Sequence, residues 1–384
     1  MKAPPIFRAR GLILAAALGV SLGFTSLAFA QASPTSAGIV NPDGKVTYLG
    51  TLGGPDSYAV DINDSGQVAG ESNPTPRGDF SHDFITGPNG VGMTDLGTLG
   101  GRASSASGIN DSGQVVGTST TTKGDPYHAF ITGPNGVGMT DLGTLGGTNS
   151  QANGINDAGQ VVGESHPTAN DSFHAFITGP NGVGMTDLGT LGGPDSYAQD
   201  INDSGQVVGT STTADGFSHA FITGPNGVGM TDLGTLGGTG STASAINASG
   251  QVVGYSVTAD GSQHAFITGP NGTGMTDLGV GGVLSYTTGI NDSGQVIGGF
   301  FATFSSGFTF ITGPNGMGMI DVNSYVDLPD GIFLLGANGI NNLGQIVVTI
   351  IPEPASYALM LAGLGFVGFM ARRKKLSDNI VARC

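Results

Sequence analysis

From residue 31 to residue 351 the chain alternates short apolar runs with clusters of glycine, asparagine, aspartate and proline, and the alternation recurs at a fixed period. The segment Ile-Asn-x-x-Gly-Gln-(Val/Ile) occurs seven times, with its asparagine at 63, 110, 156, 202, 247, 291 and 341. A second segment, Gly-Met-Thr-Asp-Leu-Gly in full or degenerate form, places Thr47, Thr94, Thr140, Thr186, Thr231, Thr276 and Ile320 at its third position. A third, His-Ala-Phe-Ile-Thr-Gly-Pro-Asn-Gly, has its phenylalanine at 84, 130, 176, 221, 266 and 310. Phe-Ile-Thr and Met-Thr-Asp-Leu are β-prone runs joined by a Pro-Asn-Gly turn. Ile-Asn and Gln-Val-Val flank a tighter turn of Asn, Asp and Gly, residues that accept unusual dihedrals. No helical periodicity interrupts the pattern. Four strands in each unit of about 45 residues, seven times over, predicts an all-β chain folded as a seven-bladed β-propeller. An open solenoid would need distinct end caps, and the repeats show none.

The third segment occurs once fewer than the other two. Residues 37–44, Ala-Gly-Ile-Val-Asn-Pro-Asp-Gly, are a degenerate copy of it at the N-terminal end. That copy is predicted to complete the blade containing residues 340–348, closing the ring and removing free sheet edges.

The two ends follow a different pattern. Lys2, Arg8 and Arg10 precede an apolar run at 11–23, and Ala28-Phe29-Ala30 supplies the small-x-small site that signal peptidase cuts. Residues 1–30 therefore read as a cleaved signal peptide. At the other end Pro352-Glu353-Pro354 precedes an apolar stretch at 355–371, just long enough for a transmembrane helix, and then Arg372-Arg373-Lys374-Lys375. The basic cluster stays cytoplasmic by the positive-inside rule, with 376–384 as a cytoplasmic tail, so the repeat body lies outside the cytoplasm.

This three-part segment, 352–375, resembles the PEP-CTERM sorting signal of Gram-negative bacteria. The resemblance implies an exosortase that recognises and cuts near Pro-Glu-Pro. It also implies transient anchoring in the inner membrane and delivery to the outer surface or extracellular matrix. The added residues 376–384 depart from that pattern. The body resembles the HAF-repeat family of extracellular proteins through His128-Ala129-Phe130, His174-Ala175-Phe176, His219-Ala220-Phe221 and His264-Ala265-Phe266, with degenerate copies at 82–84 and 308–310. That family has no general activity to transfer.

Once the ends are set aside, the body keeps only Lys45, Arg77, Arg102 and Lys123 as cations and carries about −22. Such a surface repels nucleic acid and anionic lipid, which excludes both as partners of the body. The single cysteine, Cys384, permits no intramolecular disulfide and no cysteine metal site.

The candidate chemistry is weighed against repetition. His82, His128, His174, His219 and His264 hold one position in successive units, which suits a repeated hydrogen bond at a strand start rather than a shared metal. His166 lies in a variable loop and is expected to be solvated. Asp61-Ile62-Asn63-Asp64-Ser65-Gly66 and Asp200-Ile201-Asn202-Asp203-Ser204-Gly205 begin like a calcium loop, but Ser72 and Ser211 stand where its last ligand should be. That leaves at most a weak extracellular Ca2+ site, and no cofactor is expected. An active site needs a unique nucleophile, base and orienting group, and here each candidate recurs, so no enzyme is expected. Propellers present ligands through loops on one face, and the aromatic candidates there are Tyr58, Tyr197, Tyr127 and Tyr255. The sequence thus points to a structural or adhesive surface protein linked to exopolysaccharide or biofilm. Two rivals are a glycan- or protein-binding propeller and, more weakly, a polysaccharide hydrolase or lyase.

Overall fold

A computed structural model describes residues 35–352 except 79, 123–125, 169–171, 280–283, 304–305 and 330–331. The predicted signal segment with Ala28 and Ala30, the apolar stretch 355–371, the tail, and Glu353, Pro354, Arg372 and Arg373 lie outside the described residues.

One unit shows how the sequence becomes a sheet. Asn63 turns the chain by accepting, at its side-chain oxygen, the backbone N–H of Ser65 and of Gln67 at 3.1 and 2.9 Å. Gly66 takes the positive φ of +74° that the turn demands. The hairpin so made pairs Ser57–Ile62 with Val68–Ser72. His82–Ile85 adds as the third strand, and Thr94–Gly97 as the fourth after the Pro88–Gly90 turn. Asn89 enters the left-handed region there, at φ 55°, a conformation asparagine tolerates. The variable polar stretch lies inside the unit, between its second and third strands. Leu-Gly-Gly carries the chain from one unit to the next.

The same antiparallel order recurs along the chain. Five sheets have four strands each. The two four-strand groups starting at Gly237–Ile246 and Leu284–Ile290 are joined into an eight-stranded sheet by one parallel pair, Gln263 with Leu284. The only helices among the described residues are single 3-10 turns, and none is long and apolar enough to cross a membrane. Closure follows the degenerate copy. Ser36–Val40 pairs antiparallel with Ile346–Pro352 on one side and with Val46–Gly50 on the other, so the first strand of the described chain completes its last sheet.

The core lies between sheets rather than within them. Phe176, fully buried, packs with Ala152, Ile155 and Val161 of its own sheet against Val116, Ala129 and Ile131 of the preceding one. Phe130, Phe221 and Phe266 occupy the same place in their units. Each faces a second-strand glycine across the ladder: Gly163 pairs with Phe176, and a Cβ on Gly163 would stand 1.9 Å from the Gln151 carbonyl. Glycine is therefore the one residue that lets the first two strands close up beneath the ring. Phe176→Ala is expected to cost about 3–5 kcal/mol and Gly163→Ala about 1–3 kcal/mol. Val183→Ser, at a turn residue 72% exposed, should change little. Urea unfolding of the three variants gives the ranking, and equal losses at all three would contradict the intersheet core.

Candidate functional site

The innermost strands meet around an axis, and asparagine connects them. The side-chain amide of Asn63 donates to the Asn110 carbonyl at 3.0 Å, Asn110 to Asn156 at 3.0 Å and Asn156 to Asn202 at 3.1 Å. Asn202 continues to Asn247 at 3.1 Å, Asn247 to Asn291 at 3.2 Å and Asn291 to Asn341 at 3.1 Å. Asn341 then donates to the Asn63 carbonyl at 3.0 Å, so the series returns to its start. The following residue makes a second circle. The backbone N–H of Asp64 donates to the Asp111 carboxylate, Asp111 to Asp157 and Asp157 to Asp203. Ala248 to Asp292, Asp292 to Asn342 and Asn342 to Asp64 carry it on. Ala248 lacks an acceptor for Asp203, and the circle is open there. These residues line a shallow opening of about 190 Å³. Burial, reinforced by the charges of Asp203, Asp111 and Asp64, raises the Asp157 carboxyl above the ordinary range. Among the described residues no group of three or more His, Cys, Asp or Glu is placed to hold a metal ion.

Behind that opening runs a channel of about 690 Å³ lined by the first strands. Two carboxylates project into it where other units have Gly108, Gly154, Ala245, Gly289 and Gly339. Asp61 accepts the N–H of Ile62 at 2.8 Å with one oxygen and that of Ile109, on the next sheet, at 3.1 Å with the other. Asp200 does the same with Ile201 at 2.8 Å and Ile246 at 2.9 Å. Read from sequence, both began a calcium loop; in the fold each straps two neighbouring sheets together. Gly339 makes room for the first strap, since a Cβ there would meet the Asp61 carboxylate at 2.8 Å. Desolvation pushes Asp61 up to about 6 and Asp200 to about 7, against the lowering effect of their backbone hydrogen bonds; the charge of Asp61 adds to the rise at Asp200.

The repeated histidines form repeated hydrogen bonds, as expected. Nδ1 of His82, His128, His174, His219 and His264 meets the carboxylate of Asp95, Asp141, Asp187, Asp232 and Asp277 at 2.7–3.0 Å. Each pair ties the third strand of its sheet to the fourth. The constant spacing of 13 residues between His and Asp was the signal for the partner. His166 departs from expectation: it is half-buried, its ring edge-on to Phe173 at 3.9 Å between centroids.

The four tyrosines do not converge. Tyr127 opens the Tyr127–Thr132 strand, and its backbone N–H donates to the Asn149 side chain. Tyr255 stands in the middle of Val252–Thr258, opposite Thr242 and Ala265, rather than in a loop. Tyr197 packs near Phe173, 6.0 Å between centroids, and burial, then the charges of Asp195 and Glu164, raises its hydroxyl. Tyr58 alone is well exposed, at 43%, and it lines a cleft of about 500 Å³ with Phe80, Asp56, Glu71 and Asn73. Phe80 and Glu71 escaped the sequence reading. Their marker was Asp83, which replaces the alanine of His-Ala-Phe in this unit. Of the sorting residues, Pro352 ends the Ile346–Pro352 strand, opposite Ile332.

Residues 351–374 match a family model described as the PEP-CTERM protein-sorting motif, which marks the chain as exported and sorted by an exosortase. No curated protein matches the sequence. Among solved structures the chain is similar to the β-propeller domain of the Trilobed protease from Pyrococcus furiosus, at 10% identity, 73% of this chain, 88% of that one and a TM-score of 0.50. It is also similar to a puromycin-hydrolyzing peptidase of Mycobacterium tuberculosis, at 10% identity over 73% and 48% of the two chains with a TM-score of 0.50. A prolyl endopeptidase structure aligns at 11% identity over 76% and 47%, with a TM-score of 0.52. This chain spans about half the length of those two peptidases. At such identities the likeness carries the propeller fold and nothing of the activity.

The buried carboxyls set a pH dependence. Asp61 and Asp200 keep their protons in the folded chain at pH values where the unfolded chain has lost them. The fold therefore binds the extra protons between about pH 4 and 7, and stability falls as pH rises through that window. Glu164, pushed up to about 7 by burial, and Asp83 act in the same direction. The melting temperature should be higher at pH 5 than at pH 8, and the difference should shrink in the Asp61→Asn, Asp200→Asn double variant. A difference that survives undiminished in that variant would locate the effect elsewhere.

Proposed function

We propose that this chain is a non-enzymatic, seven-bladed HAF-repeat propeller of a Gram-negative bacterium. In this reading it is delivered to the outer surface or extracellular matrix, where it serves a structural or adhesive role with exopolysaccharide or biofilm. The observation that carries the reading is the sorting motif joined directly to the last strand of a repetitive fold. The use of the repeated residues supports it further. The asparagines hold sheet to sheet, the histidines hold strand to strand, and the channel aspartates bind backbone amides. None of these groups is paired with a nucleophile, which nucleophilic catalysis would need. The body charge of about −22 favours neutral or cationic matrix components over nucleic acid. The cleft beside Tyr58 favours a second reading, direct glycan binding, because it combines exposed aromatic rings with carboxylates.

Fractionation of the host with and without its exosortase tests the sorting half of this proposal. The parent strain should release a shortened chain to the surface fraction, and the exosortase-deficient strain should hold the longer chain in the inner membrane. The same size and location in both strains would sink it.

A further inference from the structure

The cleft beside Tyr58 lies in the unit where Asp83 replaces the alanine of His-Ala-Phe. Its walls are the ring of Tyr58, on the Ser57–Ile62 strand, and the ring of Phe80, exposed by 43% and 45%. Phe80 is held in place by Asn73, whose side-chain amide donates to the Phe80 carbonyl at 3.2 Å and to the Gly78 carbonyl at 3.5 Å. Asp56 and Glu71 supply carboxylates to the same space. The cleft's volume of about 500 Å³ falls within the range of roughly 300–1,000 Å³ that small-ligand sites occupy.

Two further observations bear on the groups around the cleft. Asp83, the cross-strand neighbour of Glu71, is fully buried and faces the Ser104 hydroxyl and the Ala106 backbone N–H, neither of them placed for a well-formed hydrogen bond. Burial, with the Glu71 charge added, pushes its carboxyl well above the ordinary range. A carboxyl sealed in that way keeps its proton and needs no counter-charge, so the acidic groups that reach the cleft are Asp56 and Glu71. Second, Arg102 of the adjoining Gly100–Ile109 strand places its guanidinium 5.7 Å from the centre of the Phe80 ring. That is cation–π distance, so Arg102 occupies one face of this ring and only the opposite face is free to stack on a ligand.

We propose that this cleft binds an amino-sugar unit of an extracellular polysaccharide, with Tyr58 and Phe80 stacking on the sugar and Glu71 receiving its ammonium group. The inference rests on the matrix-facing reading above and names the ligand class for it. Two flat aromatic walls suit a pyranose face better than a flexible lysine side chain, and a cationic sugar answers the acidic rim. Other units hold parts of the set but not the whole: Glu164 repeats Glu71 where Gln151 replaces Tyr58, Tyr197 and Phe217 repeat Tyr58 and Phe80 where Thr210 replaces Glu71, and alanine replaces Asp83 at positions 129, 175, 220 and 265. One such site per chain follows.

Titration calorimetry with the full-length chain in detergent, using a β-1,4-linked glucosamine hexamer as probe, tests the proposal. Saturable binding is expected, with affinity falling about tenfold or more for Tyr58→Ala and for Glu71→Gln, the scale of one lost cation–π or charged contact. Tyr58→Phe should keep most of the affinity, and Val183→Ser, two sheets away, should keep all of it. The fully N-acetylated hexamer should bind at least about tenfold more weakly, since it lacks the charge. Equal binding of both hexamers, or a Glu71→Gln variant as good as the parent, overturns the proposal. So does binding of an oligolysine peptide in place of the hexamer, which would assign the cleft to a basic protein partner. Host matrix polysaccharide bound undiminished by Tyr58→Ala and Glu71→Gln removes this site and leaves the matrix role intact. Hexamer binding by a protein that fails to associate with matrix removes the role and leaves the site.

Discussion

The molecule depends on one side chain used in three directions at once. Each ring asparagine accepts the backbone N–H of the glutamine four residues on, and so makes its own hairpin turn. One N–H of its amide goes to that glutamine's side-chain oxygen, and the other reaches the carbonyl of the next asparagine in the series. No other residue of that length offers one acceptor and two donors on a planar head. Aspartate would lose both donors, and glutamine would displace the head by a methylene. Local turn and long-range closure are therefore decided by the same atoms, and a unit that folds its hairpin has already aimed the bond that joins it to its neighbour. The intersheet phenylalanines then fill the wedge between sheets whose spacing the asparagines have set.

Much of this was legible from one chain because repetition turns a weak signal into a strong one. A single Asn-x-x-Gly is only a turn, whereas seven copies in register define a unit with fixed strand ends. The degenerate residues 37–44 were recognisable as the missing third strand because six other copies, four of them with intact His-Ala-Phe, showed what it should be. The histidines were read correctly as hydrogen-bonding groups, although their aspartate partners were not named. The channel aspartates were weighed only as part of a weak calcium loop, and their role as straps stayed hidden because that pattern treats Asp61 and Asp64 as neighbours along one loop. Asp61 in fact belongs to a strand with a register shift between Ala59 and Asp61, which turns its carboxylate toward the next sheet. The cleft was out of reach of any linear pattern. Tyr58, Glu71 and Phe80 lie on three successive segments, and Asn73, through hydrogen bonds to two carbonyls, brings the last of them alongside.

The departures from repetition are few, and they fall into two kinds. Asp61, Asp200 and the glycines opposite them alter the channel wall without disturbing the ladder, because their changes are absorbed by backbone amides that remain bonded. Asp83 is different: it places an ionisable group where four siblings have alanine and one has Thr309, and burial there holds it protonated. A symmetric scaffold tolerates one such cost where six other units carry the stability, which is how repetition and individuality coexist in one chain.

The junction at Pro352 has a consequence for timing. The sorting motif begins at residue 351, while the strand that closes the last sheet runs to Pro352, so two residues are claimed by both. Within about three residues, roughly 10 Å of extended chain, a cutting enzyme at this motif reaches the rung between Pro352 and Ile332. Completion of the sheet and trimming of the tail thus compete for the same few atoms. The terminal rung must fray, or be laid down last, for the cut to be made. The last described residues of the body are thus at once part of its wall and part of the signal that sorts it.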